Sequence, residues 1–370
     1  MTTQRSSILL VLATLTVALA SAVPAHATFR GKNGRIAFGQ FTGPNVGDIF
    51  TMNPDGSDVR QLTFFGASGG SAGLGDWSPD GSGLVFAQQA APSAPNQLWI
   101  MNANGSDQHQ LLNDPSHNDY GPSFSPDGTQ IVFTRCIIGS FQCAIDRVKA
   151  DGSKLTQILP VNSNPDILDF NPAYSQDGSM IAFHSLFRNG LLEAIYLTNA
   201  DGSGIHSLTP PRLGADEADW SPDGTTIAFS SNDANCGFGS CFVLSAEIWL
   251  VSADGRETRR LTFNNNQWHG LNTVPHDLAP SWSPQGDAIV FQRDSPDGSQ
   301  HAIYVMNRDG SNQKLILQLP GRRPVDLPVR NGIAGARRTT PNMLKLIQQR
   351  GFFPRWGPAR EDEQHGRSPR

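Results

Sequence analysis

Cysteine is scarce in this chain of 370 residues, with four in all. They form two close pairs, Cys136 with Cys143 and Cys236 with Cys241. No histidine or further cysteine stands near either pair at metal-ligand spacing, which excludes a zinc-knuckle arrangement. Positive charge is not in excess either. The net charge is −5, and the segment from Gln318 onward holds 11 Arg or Lys against 4 Asp or Glu, which leaves −12 on the rest. An acidic body of that kind excludes nucleic acid as its partner. Long apolar runs are missing beyond Ile8 to Ala20, and that run is too short and wrongly flanked for a stable membrane span. A serine-hydrolase arrangement lacks its setting as well. Gly69-Gly70-Ser71-Ala72-Gly73 fits the G-x-S-x-G spacing, but it lies in a Gly-rich loop without the strand before it and the helix after it that expose a strained serine.

Residues 1–27 read as an export signal, with Arg5 at the charged end, Ile8 to Ala20 as the apolar core and Ala25-His26-Ala27 as a small-x-small cleavage site. No cysteine follows that site to carry a lipid. The mature chain is expected to begin near Thr28 and to be secreted or periplasmic, with no transmembrane segment after signal removal. The cysteines agree with an oxidising compartment: local disulfides Cys136–Cys143 and Cys236–Cys241 are the simplest of the three possible connectivities.

Glycine (37) and proline (26) are abundant, as suits many short strands joined by tight turns. The turns repeat. An aromatic-Ser-Pro-Asp-Gly motif recurs as WSPDG at Trp77 to Gly81, FSPDG at Phe124 to Gly128, YSQDG at Tyr174 to Gly178, WSPDG at Trp220 to Gly224 and WSPQG at Trp282 to Gly286. A β-prone run follows each, such as Ile227-Ala228-Phe229. A second turn occurs six times, at Asp55-Gly56, Asn104-Gly105, Asp151-Gly152, Asp201-Gly202, Asp254-Gly255 and Asp309-Gly310, in steps of 47 to 55 residues. Each unit reads as four antiparallel strands, A to D, that cannot bury both faces alone, and the step is that of propeller blades. The strand A aromatics Trp77, Phe124, Tyr174, Trp220 and Trp282 are expected to pack between blades.

Six second turns against five first turns leave one blade short of its A strand. The first unit opens on Gly34-Arg35-Ile36-Ala37-Phe38, already a B strand, while Phe353-Pro354-Arg355-Trp356-Gly357-Pro358 near the C-terminus matches the start of an A strand with Gly in place of Ser. Pairing the two removes an open edge. The expected fold is all-β: a six-bladed β-propeller of four-stranded antiparallel blades over residues 28–319, a basic linker over 320–352, a closing strand over 353–358 and a disordered tail over 359–370.

These motifs resemble the WD-like propeller repeats of the TolB family, over about Gly34 to Leu317. Gln176 for Pro, Gln285 for Asp and a degenerate third C strand, Ala144 to Val148, depart from the pattern. TolB itself resembles a two-domain protein with an α/β domain ahead of its propeller. The resemblance implies a binding propeller.

Antiparallel order puts the A–B and C–D turns at one end of the ring and the B–C and D–A connections at the other, so binding residues are sought among the long, unlike loops. Four acids, Asp119, Asp169, Asp277 and the offset Asp216, precede the strand A aromatics. They either ring the channel mouth, holding calcium or a cationic group, or cap their own loops as Asx turns. His117, His276 and Trp268 belong to the same face. No cofactor is otherwise expected. The sequence points to a monomeric, non-catalytic scaffold for a protein or cell-envelope polymer. The alternative is a polysaccharide lyase or hydrolase using the His and Asp loops, since oligogalacturonate lyases are propellers with related repeats.

Overall fold

A computed structural model describes residues 31–43, 46–140, 142–164, 167–188, 193–210, 213–232, 246–264, 275–296, 299–320 and 354–360. The expected export signal, linker, tail beyond Arg360, Trp268 and the pair Cys236 and Cys241 lie outside the described residues.

The chain forms six four-stranded antiparallel sheets. The first blade holds β1 (Asn33–Gly43), β2 (Val46–Met52) and β3 (Arg60–Gln61), and the second β4 (Ser71–Trp77), β5 (Gly83–Gln89), β6 (Asn96–Asn102) and β7 (His109–Gln110). The third comprises β8 (His117–Phe124), β9 (Gln130–Ile137), β10 (Cys143–Lys149) and β11 (Thr156–Leu159), and the fourth β12 (Leu168–Tyr174), β13 (Met180–Leu186), β14 (Glu193–Asn199) and β15 (His206–Ser207). The fifth has β16 (Ala215–Trp220), β17 (Thr226–Asn232), β18 (Ala246–Ser252) and β19 (Thr258–Arg260), and the sixth β20 (His276–Trp282), β21 (Ala288–Asp294), β22 (His301–Asn307) and β23 (Lys314–Leu319). The last strand, β24 (Arg355–Pro358), pairs antiparallel with β1 and supplies the missing inner strand of the first blade. Inner strands pack in ring order, with β24 against both β20 and β4. No helix among the described residues is long and apolar enough to cross a membrane.

The repeated residues explain the repeat. Each strand A aromatic is buried against the preceding blade: Trp77 on Ala37, Ile49 and Leu62, and Trp220 on Ala182, Ile195 and Leu197. Trp356 fills the equivalent place, against Val290 and Ile303 of the sixth blade. The SPDG turn is wired by its own side chains. Ser125 Oγ donates to Asp127 Oδ1 (2.6 Å), the Thr129 amide donates to the same oxygen (3.0 Å), and Gly128 takes φ 69°. The Leu-Thr ending is more than ladder. Leu62 plugs the core, while Thr63, Thr209 and Thr262 accept the strand C amides of Ile49, Ile195 and Ile248 at 2.9 to 3.0 Å.

Ser71 opens the inner strand β4 opposite Gln89, which differs from the loop expected there. The substitution of Gly for Ser at position 357 also has a physical reason. A Cβ there would stand 2.5 Å from the Trp77 indole.

Candidate functional site

The inner strands carry a bulge near their centres, and the bulged residues Gly121, Asn171, Glu217 and Ala279 take φ of 50 to 56°. A bulge re-aims the side chains around it. The four acids picked out from the sequence lie just before these bulges, on the strands themselves rather than in the connections that precede them.

Asp119, Asp169 and Asp277 stand opposite residues 135, 185 and 293 of the neighbouring B strand, so register decides their partners. Arg293 grips Asp277 with two bonds, 2.6 and 2.8 Å, and Asn264 adds a third at 2.7 Å. Ser185 donates to Asp169 at 2.6 Å, joined by Arg188. Asp216 meets His184 of the preceding blade, Oδ1 to Nδ1, at 3.1 Å.

Asp119 belongs to a charged group in the third blade. Its carboxylate is buried, both oxygens lack a hydrogen bond, and Arg135 Nε is 3.8 Å away. Burial pushes Asp119 up to about 7 against the pull of Arg135. Asp146, 4.0 Å from the same guanidinium, rises to about 6 by burial, again opposed by Arg135. Asp114 goes the other way: hydrogen bonds from Ser116 hold it well below the usual carboxylate range despite burial, helped by His117 at 2.8 Å and by Arg135. Around this group runs a cleft of about 270 Å³, lined by Asp114, His117, Arg135 and Asp146 with Ile137 and Leu155 among its apolar walls. Cys136 and Cys143 face each other across β9 and β10 and form the expected disulfide beside it.

The ring keeps His117 and His276 apart. The first opens β8 in the third blade and the second opens β20 in the sixth, on opposite sides of six. His276 Nδ1 accepts the Ala246 amide at 3.2 Å, the part that Asn118 plays for the Asn96 amide at 2.9 Å between the second and third blades. It caps a seam, and burial lowers its pKa against the opposing charges of Asp294 and Asp277.

A further charged group on the ring axis escapes a motif-based reading. The residue before the strand A aromatic is charged at three blades, as Asp76, Asp219 and Arg355, with Arg355 near enough to act on both acids. Asp76 accepts from Ser123 (2.9 Å) and the Phe124 amide (3.3 Å) of the next blade, and Asp219 accepts from the Trp282 amide at 2.8 Å. Burial raises Asp76 to about 7 and raises Asp219 too, while the charge of Arg355 pulls both back. Glu217, held by Ser230 (3.1 Å) and the Ala279 amide (2.8 Å), is pushed up to about 7 by burial. The signal was present in the sequence as Asp-Trp, Asp-Trp and Arg-Trp at matching repeat positions.

Among known structures, TolB from Acinetobacter baumannii superposes with a TM-score of 0.60 at 18% identity, covering 90% of this chain and 67% of that one. The putative TolB from Agrobacterium tumefaciens gives 0.56 at 19% identity, covering 79% and 90%. The fold is that of the TolB propellers. A chain of a nidogen/laminin complex gives 0.55 at 10% identity, covering 78% and 94%, so TolB-like architecture is shared well beyond TolB. No protein-family model and no curated protein matches the sequence.

Proposed function

We propose that this TolB-like propeller is an exported, non-catalytic scaffold that engages a protein or cell-envelope polymer through its variable-loop end. One observation carries the reading. The third blade sets the charges around Arg135 beside exposed Ile137 and Ile138 at its B–C end, while the opposite end repeats the same tight turn blade after blade. Apolar side chains ringed by charge suit a docking surface. Chemistry has less support, because His117 and His276 sit in opposite blades, and Asp169 and Asp277 are neutralised by arginines.

The test is co-sedimentation of the mature chain with cell envelope from the native host. Ile137→Glu and Ile138→Glu are expected to cut binding about tenfold, roughly 1.4 kcal/mol. Val59→Glu, an equally exposed apolar site beside a C–D turn, is expected to leave it unchanged. Equal binding by all three variants contradicts the reading.

The carbohydrate-cleaving alternative has one observation of its own: Asp146, lining the cleft, sits near 6 because of burial and is able to exchange a proton close to neutral pH. Unsaturated or reducing ends released from an acidic polysaccharide by the wild type, and lost in Asp146→Asn, would replace the scaffold reading.

A further inference from the structure

His184, Glu193 and Asp216 meet in the seam between the fourth and fifth blades. His184 lies on β13 with its ring almost wholly buried, Glu193 is the first residue of β14, and Asp216 lies on β16 with its Oδ1 held by the Glu217 amide at 2.8 Å. The imidazole stands between the two acids. Nδ1 is 3.1 Å from Asp216 Oδ1 and Nε2 is 3.1 Å from Glu193 Oε1. Yet neither nitrogen makes an aligned hydrogen bond, so a buried polar ring faces two carboxylates at contact distance and off the donor axis.

That misalignment has a chemical meaning. A hydrogen bond puts the acceptor along the N–H direction. Two atoms bound to one metal ion sit instead at the ends of an edge, with the ion between them and to one side. For bonds of about 2.0 to 2.1 Å the edge is about 3.0 Å in octahedral and about 3.3 Å in tetrahedral geometry. An ion takes only one ring nitrogen, so one of the two 3.1 Å separations serves as such an edge, and it falls between these values. One ligand atom from each of the three residues lies within 4.8 Å of the others, a spread that small side-chain rotations can close around a single ion.

We propose that His184, Glu193 and Asp216 bind one divalent transition-metal ion of the zinc or manganese type, which staples the fourth blade to the fifth. The donor set decides the class. One imidazole nitrogen with two carboxylates suits a borderline ion, whereas calcium and magnesium favour oxygen throughout. The ring gives one nitrogen to the ion, and the carboxylate now beside the other nitrogen reaches the same ion by side-chain rotation. Water completes the coordination from the side of Glu193, whose side chain is 20% exposed.

The experiment uses the full mature chain, stripped with chelator and titrated with zinc chloride, with bound metal counted after desalting. The wild type is expected to retain one equivalent of zinc, undisplaced by equimolar calcium, and to unfold at a higher temperature when loaded. Replacing zinc with cobalt is expected to give the visible absorption of a nitrogen-ligated ion. His184→Gln and Glu193→Gln are expected to lose zinc affinity at least tenfold, while His117→Gln keeps it. Glu193 sits at the partly open side, so E193Q decides the matter even if the histidine variant fails to fold. No stoichiometric zinc in the wild type overturns the site. So does undiminished uptake by folded E193Q, or displacement by equimolar calcium.

Discussion

Trp356 lies directly opposite Ile36 in the first blade, and its indole N–H donates to the Gly34 carbonyl at 3.1 Å, across 322 positions of sequence. The same residue's amide donates to Ser281 Oγ of the sixth blade at 3.3 Å, so one tryptophan ties the first blade to the last. Truncating it removes the indole from a core shared with Phe38, Phe50 and Val290. Trp356→Ala is expected to cost about 3 to 5 kcal/mol, read from the urea midpoint. Gly357→Ala is expected to destabilise as well, because the added methyl meets the Trp77 ring.

Arg135 is the cation between three carboxylates, Asp114, Asp119 and Asp146. Removing one partner of a buried charge group strands the others. Arg135→Met is expected to cost about 3 kcal/mol at pH 7 by denaturant titration. The cost shrinks at pH 5, where Asp119 and Asp146 carry protons.

The ring axis makes stability depend on pH in an unusual direction. Burial raises Asp76 and Glu217 to about 7, and raises Asp219. A carboxyl whose folded pKa exceeds its unfolded one favours folding while both states are protonated, and that contribution is lost as pH climbs from about 4 to about 7. The turn acids Asp55, Asp151, Asp201 and Asp309 are lowered by hydrogen bonds from serines two residues on, so their contribution disappears only below the ordinary carboxylate range. The melting temperature is therefore expected to be higher at pH 5 than at pH 7.5, by about 3 °C or more. The double variant Asp76→Asn, Glu217→Gln is expected to flatten that slope in a calorimetric scan.

The disulfide Cys136–Cys143 closes a short loop, with a sequence separation of 7. Short loops gain little from cross-linking. Replacing both cysteines with serine is expected to cost about 2 kcal/mol, and reduction of the wild type should cost at least as much in a thermal scan.

Much of the fold was legible because the repeat is written in residues with one job each. The SPDG aspartates wire their own turns, the strand A aromatics fill the seams, and the unpaired B strand at Ile36 calls for Trp356. The site was less legible, because its chemistry depends on partners from other strands. Asp119, Asp169 and Asp277 could be picked from spacing, but only register shows them facing residues 135, 185 and 293. His184 gave no motif, since its meeting with Asp216 crosses from one blade to the next. His117 and His276 looked alike in sequence, yet blade count alone places them on opposite sides of the ring.

The most direct measurement is site-specific photo-crosslinking in the native host, with the reactive group at position 137 or 138 at the B–C end of the third blade, or at position 59 beside a C–D turn. The account predicts a discrete adduct with an envelope component from positions 137 and 138 and none from 59. Adducts of equal yield from both ends, or from position 59 alone, would contradict it.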